Sequence, residues 1–270
     1  MPKVSLIISF YNKLNTLELL FTALEKQSFK DFEVIIADDG SESEVVKKIS
    51  ELIAGCKFKT HHIWHEDKGW RKNSILNKAI LKSNTGYLIF IDGDCIPHPR
   101  FIEEHYNNRK EATVLAGRRV NLSVYISDRL SINNIKKGYL QHIFLLLSFL
   151  FRLFGKGSHT ENGLYFKSKF LRKHINNKER GILGSNFSVH KSDILNINGF
   201  DERFIYPGAG EDTDIRNRFK NYGIKIETLK HIAIQYHLYH KPLDRNKGNL
   251  EILEENIINK VTFTPYGIKK

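Results

Sequence analysis

Leu88-Ile89-Phe90-Ile91-Asp92-Gly93-Asp94 is the stretch on which the fold turns. Four consecutive apolar residues suit a strand buried on both faces, as in a parallel sheet. Carboxylates are tolerated there only just past the strand's end, and open α/β sheets bind ligands at the carboxyl ends of their strands. Asp92-Gly93-Asp94 at that place is either a solvated turn or a pair of carboxylates able to hold a divalent cation against a diphosphate.

Upstream, apolar strands alternate with amphipathic helices. Val4–Ile8, Val34–Ala37, Phe58–Trp64 and Tyr87–Ile91 read as strands, with Val114–Ala116 in a fifth. Leu14–Gln27, Glu42–Ile53 and Trp70–Lys82 carry helical spacing between them. This alternation predicts βαβ units and a Rossmann-like, mostly parallel α/β sheet flanked by helices. Parallel strands put their carboxyl ends on one edge. Three polar groups should therefore converge there: Ser9 with Tyr11 and Asn12, Asp38 to Ser41, and Asp92 to Asp94. Asp39 could accept from a base N–H and Tyr11 could stack on the base, while Ser41 could cap the following helix.

The 270 residues suffice for a full core, and the charged and apolar fractions (27% and 41%) are those of a folded soluble protein. Cys56 and Cys95 are too few for a disulfide framework and fit a reducing, cytoplasmic setting. The apolar start Val4–Phe10 is short for a secretory signal and runs into Tyr11-Asn12-Lys13. The net charge of +12 is uneven: residues 136–180 hold ten Lys/Arg against Glu161 and Glu179 alone. Such a segment points to an anionic partner or to a bare basic surface. Within it, Tyr139–Phe154 is strongly apolar but too short to span a bilayer, so it is read as a buried helix or a helix lying at an anionic membrane surface.

A second acidic cluster, Gly208-Ala209-Gly210-Glu211-Asp212-Thr213-Asp214, opens another helix. Ile215, Phe219 and Tyr222 form its apolar face, and Gly223 ends it. Asp212 shares the inward side and could act as a general base. Asp214 and Arg218, four apart, are expected to pair on the outer side. Ile232, Ile234 and Tyr236 suggest a strand ending at His237, whose imidazole with carboxylates would suit a metal such as manganese.

Together these segments resemble family 2 glycosyltransferases of the GT-A fold. The N-terminal Val4–Asn12, the nucleoside-binding Glu33–Ser41, Asp67 to Asn77, and Asp92-Gly93-Asp94 as the D-x-D motif carry the resemblance. Gly184-Ser185-Asn186-Phe187-Ser188-Val189 and Asn198-Gly199-Phe200-Asp201, followed by Gly210-Glu211-Asp212, are similar to the acceptor lobe of β-1,4-galactosyltransferases and chondroitin polymerase. The resemblance implies an inverting, metal-dependent transferase with Asp212 as catalytic base beside Glu211. Asp94 and His237, with Asp92 directly or through water and His240 second, would hold Mn²⁺ or Mg²⁺. Ser9, Tyr11, Asn12, Asp39, Asp67, Lys72, Asn77, Asp92, Gly93 and Gly184 would line the nucleotide-sugar, expected to be UDP-linked, with Lys72 on its diphosphate.

One departure is visible. Related galactosyltransferases place a tryptophan before the Gly-Gly-Glu-Asp run to stack on the acceptor sugar, where this chain has Tyr206-Pro207-Gly208-Ala209-Gly210. The resemblance divides one continuous catalytic domain into a nucleotide-sugar half (1–120), an acceptor half (121–240) and a C-terminal tail (241–270). The expected partners are a nucleotide-sugar donor, a glycan or lipid-linked glycan acceptor and an anionic membrane surface under residues 136–180. The expected location is cytoplasmic or peripheral on the inner membrane face. A sugar-phosphate nucleotidyltransferase shares the early layout but leaves the Glu211-Asp212 lobe unexplained. A nucleic-acid-binding role, prompted by pI ≈ 9.5, lacks any recognisable motif, and no nucleic acid is expected.

Overall fold

The computed structural model describes residues 1–142, 159–208, 210–241 and 248–270. In chain order these form β1 (Val4–Phe10), α1 (Leu14–Glu25), β2 (Phe32–Asp38), α2 (Ser43–Gly55), β3 (Lys59–Trp64), α3 (Lys72–Lys82), β4 (Tyr87–Asp92), β5 (Cys95–Pro97) and α4 (Phe101–Asn107). Then come β6 (Thr113–Ala116), β7 (Arg118–Asn121), α5 (Val124–Ser127), α6 (Ile132–Lys136), α7 (Lys169–Ile175), β8 (Asn186–His190) and α8 (Lys191–Asn196). The last described elements are α9 (Glu211–Asn221), β9 (Lys225–Thr228), β10 (Ile234–His237) and α10 (Gly248–Ile258).

Seven strands form one sheet in the order β3-β2-β1-β4-β8-β6-β9. All run parallel except β8, which is antiparallel to both β4 and β6. The continuous apolar runs have the predicted cause. Leu6, Ile8, Val34, Ile36, Ile89 and Ile91 face one core with α1 and α2. Ile7, Ile35, Ala37, Leu88 and Phe90 face a second core with α3 and α9. Strands buried on both faces have no polar side to alternate. Phe90 stacks on Phe187 across the β4–β8 pair, with ring centroids 4.4 Å apart.

A smaller sheet, β5-β10-β7, lies beyond the carboxyl end of β4. Of its strands the sequence pattern predicts only β10, ending at His237; β5 and β7, three and four residues long, leave no such signal. Its pairing matters for the site: β10 runs antiparallel to β5 with His237 opposite Cys95, and parallel to β7 with His237 opposite Asn121.

The two halves share one sheet, since β8 and β9 lie in the acceptor half by sequence. Residues 248–270, read from the sequence as a tail, pack onto that half. Asn198 bonds Thr264 O, Lys269 O and Lys269 N. Buried Asp201 accepts from Thr264 Oγ1 at 2.9 Å and from Arg203. Much of Tyr139–Phe154 lies outside the described residues. No helix among the described residues is long and apolar enough to cross a membrane. Cys56 and Cys95 are both free.

Three local expectations are corrected. Asp214 and Arg218 do pair (2.7 Å), but fully inside the protein. Arg218 also donates to the carbonyls of Ile197 and Gly199, and Asn256 donates to Asp214. The docked C-terminal segment and the Ile197–Gly199 turn cover the helix face that helical spacing alone places outside. Tyr222 is 47% exposed and lies off the apolar face that Ile215 and Phe219 form. Ser41 does not cap α2; its hydroxyl accepts the Asn12 N–H at 2.8 Å.

Removing one partner of a buried ion pair strands the other charge, at a cost of about 3–5 kcal/mol. Arg218→Met should lower the unfolding free energy by that amount in chemical denaturation. A loss within the roughly 1 kcal/mol typical of surface pairs would show that the pair does not hold the lobe.

Candidate active site

The carboxyl ends of β1, β2 and β4 meet on one edge because their registers align. Ser9 stands opposite both Ala37 and Asp92. Asn12, in the left-handed region that asparagine tolerates, ties the first loop to the second. Its Oδ1 accepts the Glu42 N–H at 2.9 Å. Asp38 is wholly buried, accepting the Ser41 N–H and contacting His62. Asp39 accepts the Arg71 N–H (2.9 Å) and lies 2.7 Å from His65 Nε2. Burial raises the Asp39 pKa above the usual carboxylate value against those partners. Tyr11 donates to Asp67 at 2.9 Å and keeps an exposed ring.

Asp92 and Asp94 face different surroundings. Asp92 Oδ1 accepts from Ser9 Oγ and Lys72 Nζ, each at 2.8 Å. Burial would raise the Asp92 pKa, but Lys72 and these bonds outweigh it and hold the carboxyl ionised. A side chain on Gly93 would meet Phe10 and the Ser9 carbonyl.

Asp94 points to the smaller sheet. Its backbone carbonyl accepts the Leu238 N–H at 2.9 Å, which draws the end of β10 against it. Its carboxylate lies 3.6 Å from His237 Nε2, 3.4 Å from His240 Nε2 and 3.1 Å from Lys13 Nζ. One ligand atom from each of Asp94, His237 and His240 lies within 4.8 Å of the others. His240 Nδ1 lies 2.9 Å from the Lys241 carbonyl, to which only a protonated Nδ1 can donate, so the ring turns Nε2 toward Asp94. Burial pushes the His237 pKa down to about 4, with Arg119 and His240 adding to the effect and Asp94 opposing it. Two imidazoles beside a carboxylate, one of them kept neutral by burial, are a donor set that fits a first-row divalent ion.

The second acidic cluster opens α9 on the far side of Lys72. The Gly184 backbone N–H bonds Asp212. Gly184 has to lack a side chain, because a Cβ there would lie 2.4 Å from Asp212 Oδ1. Burial, then the neighbouring Glu211, raises the Asp212 pKa to about 6, while Lys72 and the Gly184 N–H oppose the rise. Glu211 Oε2 is buried with no hydrogen-bond partner among the described residues. Burial would depress Lys72, but Asp92, Asp212 and Glu211 hold its pKa well above that of a free lysine. One ammonium thus stands between the two carboxylate groups.

The structure therefore gathers Ser9, Asp92, Gly93, Lys72, Asp94, His237, His240, Gly184, Glu211 and Asp212 around one edge. Tyr11, Asn12, Asp39 and Asp67 form the adjoining loop wall. Asn77 is placed apart. It is buried, and its amide bonds Phe200 N, Phe200 O and Glu202, so it joins α3 to the acceptor half. Tyr206 is 37% exposed, and Asn249 holds its backbone carbonyl. Sequence reasoning missed two cations here: Lys13 on Asp94, and Arg119. The β7–β10 register puts Arg119 on the same face as Gln235 and His237. Only that pairing could have revealed it.

A sequence profile described as "Glycosyl transferase family 2" matches residues 5–178. Another, described as "N-terminal domain of galactosyltransferase", matches residues 166–241. The chain is 22% identical over 248 residues to the chondroitin synthase of Escherichia coli, which covers 87% of this chain and 34% of that protein. It is 28% identical over 97 residues to the GalNAc(5)-diNAcBac-PP-undecaprenol beta-1,3-glucosyltransferase of Campylobacter jejuni, over 35% of this chain and 30% of the relative. The chain spans about a third of the length of these curated relatives. The crystal structure of S. aureus TarS superposes with a TM-score of 0.60 at 17% identity, covering 95% of this chain and 40% of that one. At that identity the likeness is one of fold.

Calorimetric titration of Mn²⁺ into the intact protein tests the donor set. Asp94→Asn and His237→Ala should each weaken binding by at least the roughly 10–100-fold seen when a metal site loses even an outer partner. A His237→Ala protein that binds as tightly as the parent would dismiss this cluster as the metal centre.

Proposed function

Because the chain belongs to glycosyl transferase family 2, we propose that it is an inverting, metal-dependent glycosyltransferase. It moves a sugar from a UDP-linked donor to a glycan or lipid-linked glycan. The observation that supports this reading is Asp212, a carboxylate raised to about 6, sharing Lys72 with Asp92, two residues before the Asp94 that meets His237 and His240.

Each residue has a role that follows from its surroundings. The ring of Tyr11 is exposed for stacking on the base. Asp39, fixed by His65 and the Arg71 N–H, presents the remaining lone pairs of its carboxylate to a base or ribose. Asp94, His237 and His240 would hold Mn²⁺ or Mg²⁺, which when bound neutralises charge on the leaving nucleoside diphosphate. Lys72 and Ser9 fix Asp92, which faces the donor sugar. Asp212 takes the proton from the acceptor hydroxyl as that oxygen attacks the anomeric carbon from the opposite face. Its raised pKa makes it a stronger base than an exposed aspartate while leaving it ionised at neutral pH. Glu211 contributes to that basicity by repulsion. A single displacement needs one base and no carboxylate nucleophile.

The basic segment provides a place for a lipid-linked acceptor. On α7, Phe170 is 78% and Leu171 44% exposed, beside Lys167, Lys169 and Lys173. Apolar side chains among lysines suit the face of an anionic membrane. Co-sedimentation with vesicles should be stronger with anionic than with neutral lipid and should weaken in Phe170→Ser. Equal behaviour with both lipids would remove the membrane from the reading.

Asp212→Asn should lower transfer by about 10²–10⁴-fold, the range of general base catalysis, with nucleotide binding unchanged. The base works ionised, so kcat/KM should fall as pH drops through about 6. Near-parental transfer by this variant would refute the assignment. Release of a sugar 1-phosphate in place of a nucleoside diphosphate would point to a nucleotidyltransferase.

A further inference from the structure

The arginines of this chain divide sharply by partner. Among the described residues, every arginine except Arg71, Arg118, Arg119 and Arg180 either bonds a carboxylate or stacks on an aromatic ring. The four exceptions all sit at the carboxyl edge. Arg71 and Arg119 adjoin the donor groups: Arg71 N–H bonds Asp39, and Arg119 exerts its charge on Asp92 and His237. A nucleoside diphosphate would account for both.

Arg118 and Arg180 have no such explanation. Arg118 lies on the face of β7 opposite Arg119, because neighbouring side chains of a strand point to opposite faces. Its Nη1 donates to the carbonyls of Gly117 (3.0 Å) and Gly181 (2.9 Å), and it meets no carboxylate among the described residues. Arg180 is the residue before Gly181. Among the described residues only its backbone N–H is bonded, to Thr228 Oγ1. The nearest acid in sequence, Glu179, is taken by Arg216 (2.5 Å) and Lys220 (2.7 Å). Burial, with repulsion from Arg180, brings the Arg118 pKa down to about 10. Arg118 is half-buried and its bond to the Gly181 carbonyl seats it one residue from Arg180, so two cationic side chains adjoin with no carboxylate among the described residues, an arrangement that an anion would complete. The loop that carries them leads directly to the base: Gly181 is three residues before Gly184, a reach of about 10 Å at most.

We propose that Arg118 and Arg180 form an acceptor subsite for an oxyanion, so that the acceptor glycan carries a carboxylate or a phosphate within one residue of the hydroxyl that Asp212 activates. This names the acceptor class for the transferase reading above and rests on it. The shared chemistry is a planar or tetrahedral oxyanion gripped by two guanidiniums. Its source is either a uronic-acid unit or a phosphate on the acceptor.

The test uses the intact protein saturated with Mn²⁺ and UDP, so that the donor-side cations are occupied. It is titrated with methyl glucuronide, glucose 6-phosphate and the neutral methyl glucoside. At least one charged probe should bind about tenfold or more tightly than the neutral one, and which one wins identifies the source. Arg180→Gln removes a charge without removing a side-chain hydrogen bond, and Arg118→Met removes the half-buried one. Each should erase most of the preference while UDP affinity and thermal midpoint hold for Arg180→Gln. Equal affinity for all three probes, or a preference that survives both substitutions, overturns the subsite. Failure of the parent protein to bind UDP with Mn²⁺ would instead count against the donor reading.

Discussion

One buried amide holds the two sheets of this protein together. Asn186, on the antiparallel strand β8, donates through Nδ2 to the carbonyls of Arg118 (2.9 Å) and Ala233 (3.1 Å). Its Oδ1 must then accept, so His105 Nε2, 3.0 Å away, carries the proton. His105 Nδ1 is left to accept from Ser188 Oγ, which in turn accepts from the Tyr87 hydroxyl. The chain works only with a neutral imidazole, and burial brings the His105 pKa down to about 4. Gly117 lets the amide in, since a Cβ there would lie 2.0 Å from Asn186 Oδ1. Each side chain in this run of bonds from Asn186 to Tyr87 has a partner, as burial demands. Through Arg118 and Ala233 the same amide fixes β7 and β10, and with them Arg119 and His237. Through the turn at Ser185 it fixes Gly184 and hence Asp212.

The site uses that frame to give neighbouring carboxylates opposite characters. Asp92 is held ionised by Lys72 and Ser9, whereas Asp212 is raised by burial and by Glu211. The same Lys72 lies within reach of both, so its charge steadies one and moderates the other. Asp94 is left to the two histidines and Lys13. In this GT-A fold, three aspartates of one edge thereby meet three different electrostatic surroundings.

The acceptor half is supported from the chain's end. Residues 248–270 bond Asn198, Asp201 and Asp214, and these in turn hold the turn and helix that present Glu211 and Asp212. Asn77 adds a bond from α3 to Phe200. The helix that carries Lys72 and the helix that carries Asp212 are thus coupled by side chains that never face the ligand edge.

The sequence by itself determined the parallel sheet, because strands covered on both faces must be apolar without interruption. It also determined the convergence of Ser9, Asp39 and Asp92, because parallel strands place their ends together. The start of α9 behind Gly210 was legible too, since glycine and acids mark a helix N-terminus. What only the tertiary structure decided depends on partners distant in sequence. β8 enters the sheet against its neighbours, three-residue β5 brings His237 to Asp94, and the docked C-terminus turns Asp214 and Arg218 inward. Asn77 becomes a tie between halves, and Arg118 and Arg119 part to opposite faces of one strand. Local periodicity reports which side of an element is covered, but not what covers it, and in this protein the covering groups set the charge and the role of each residue at the site.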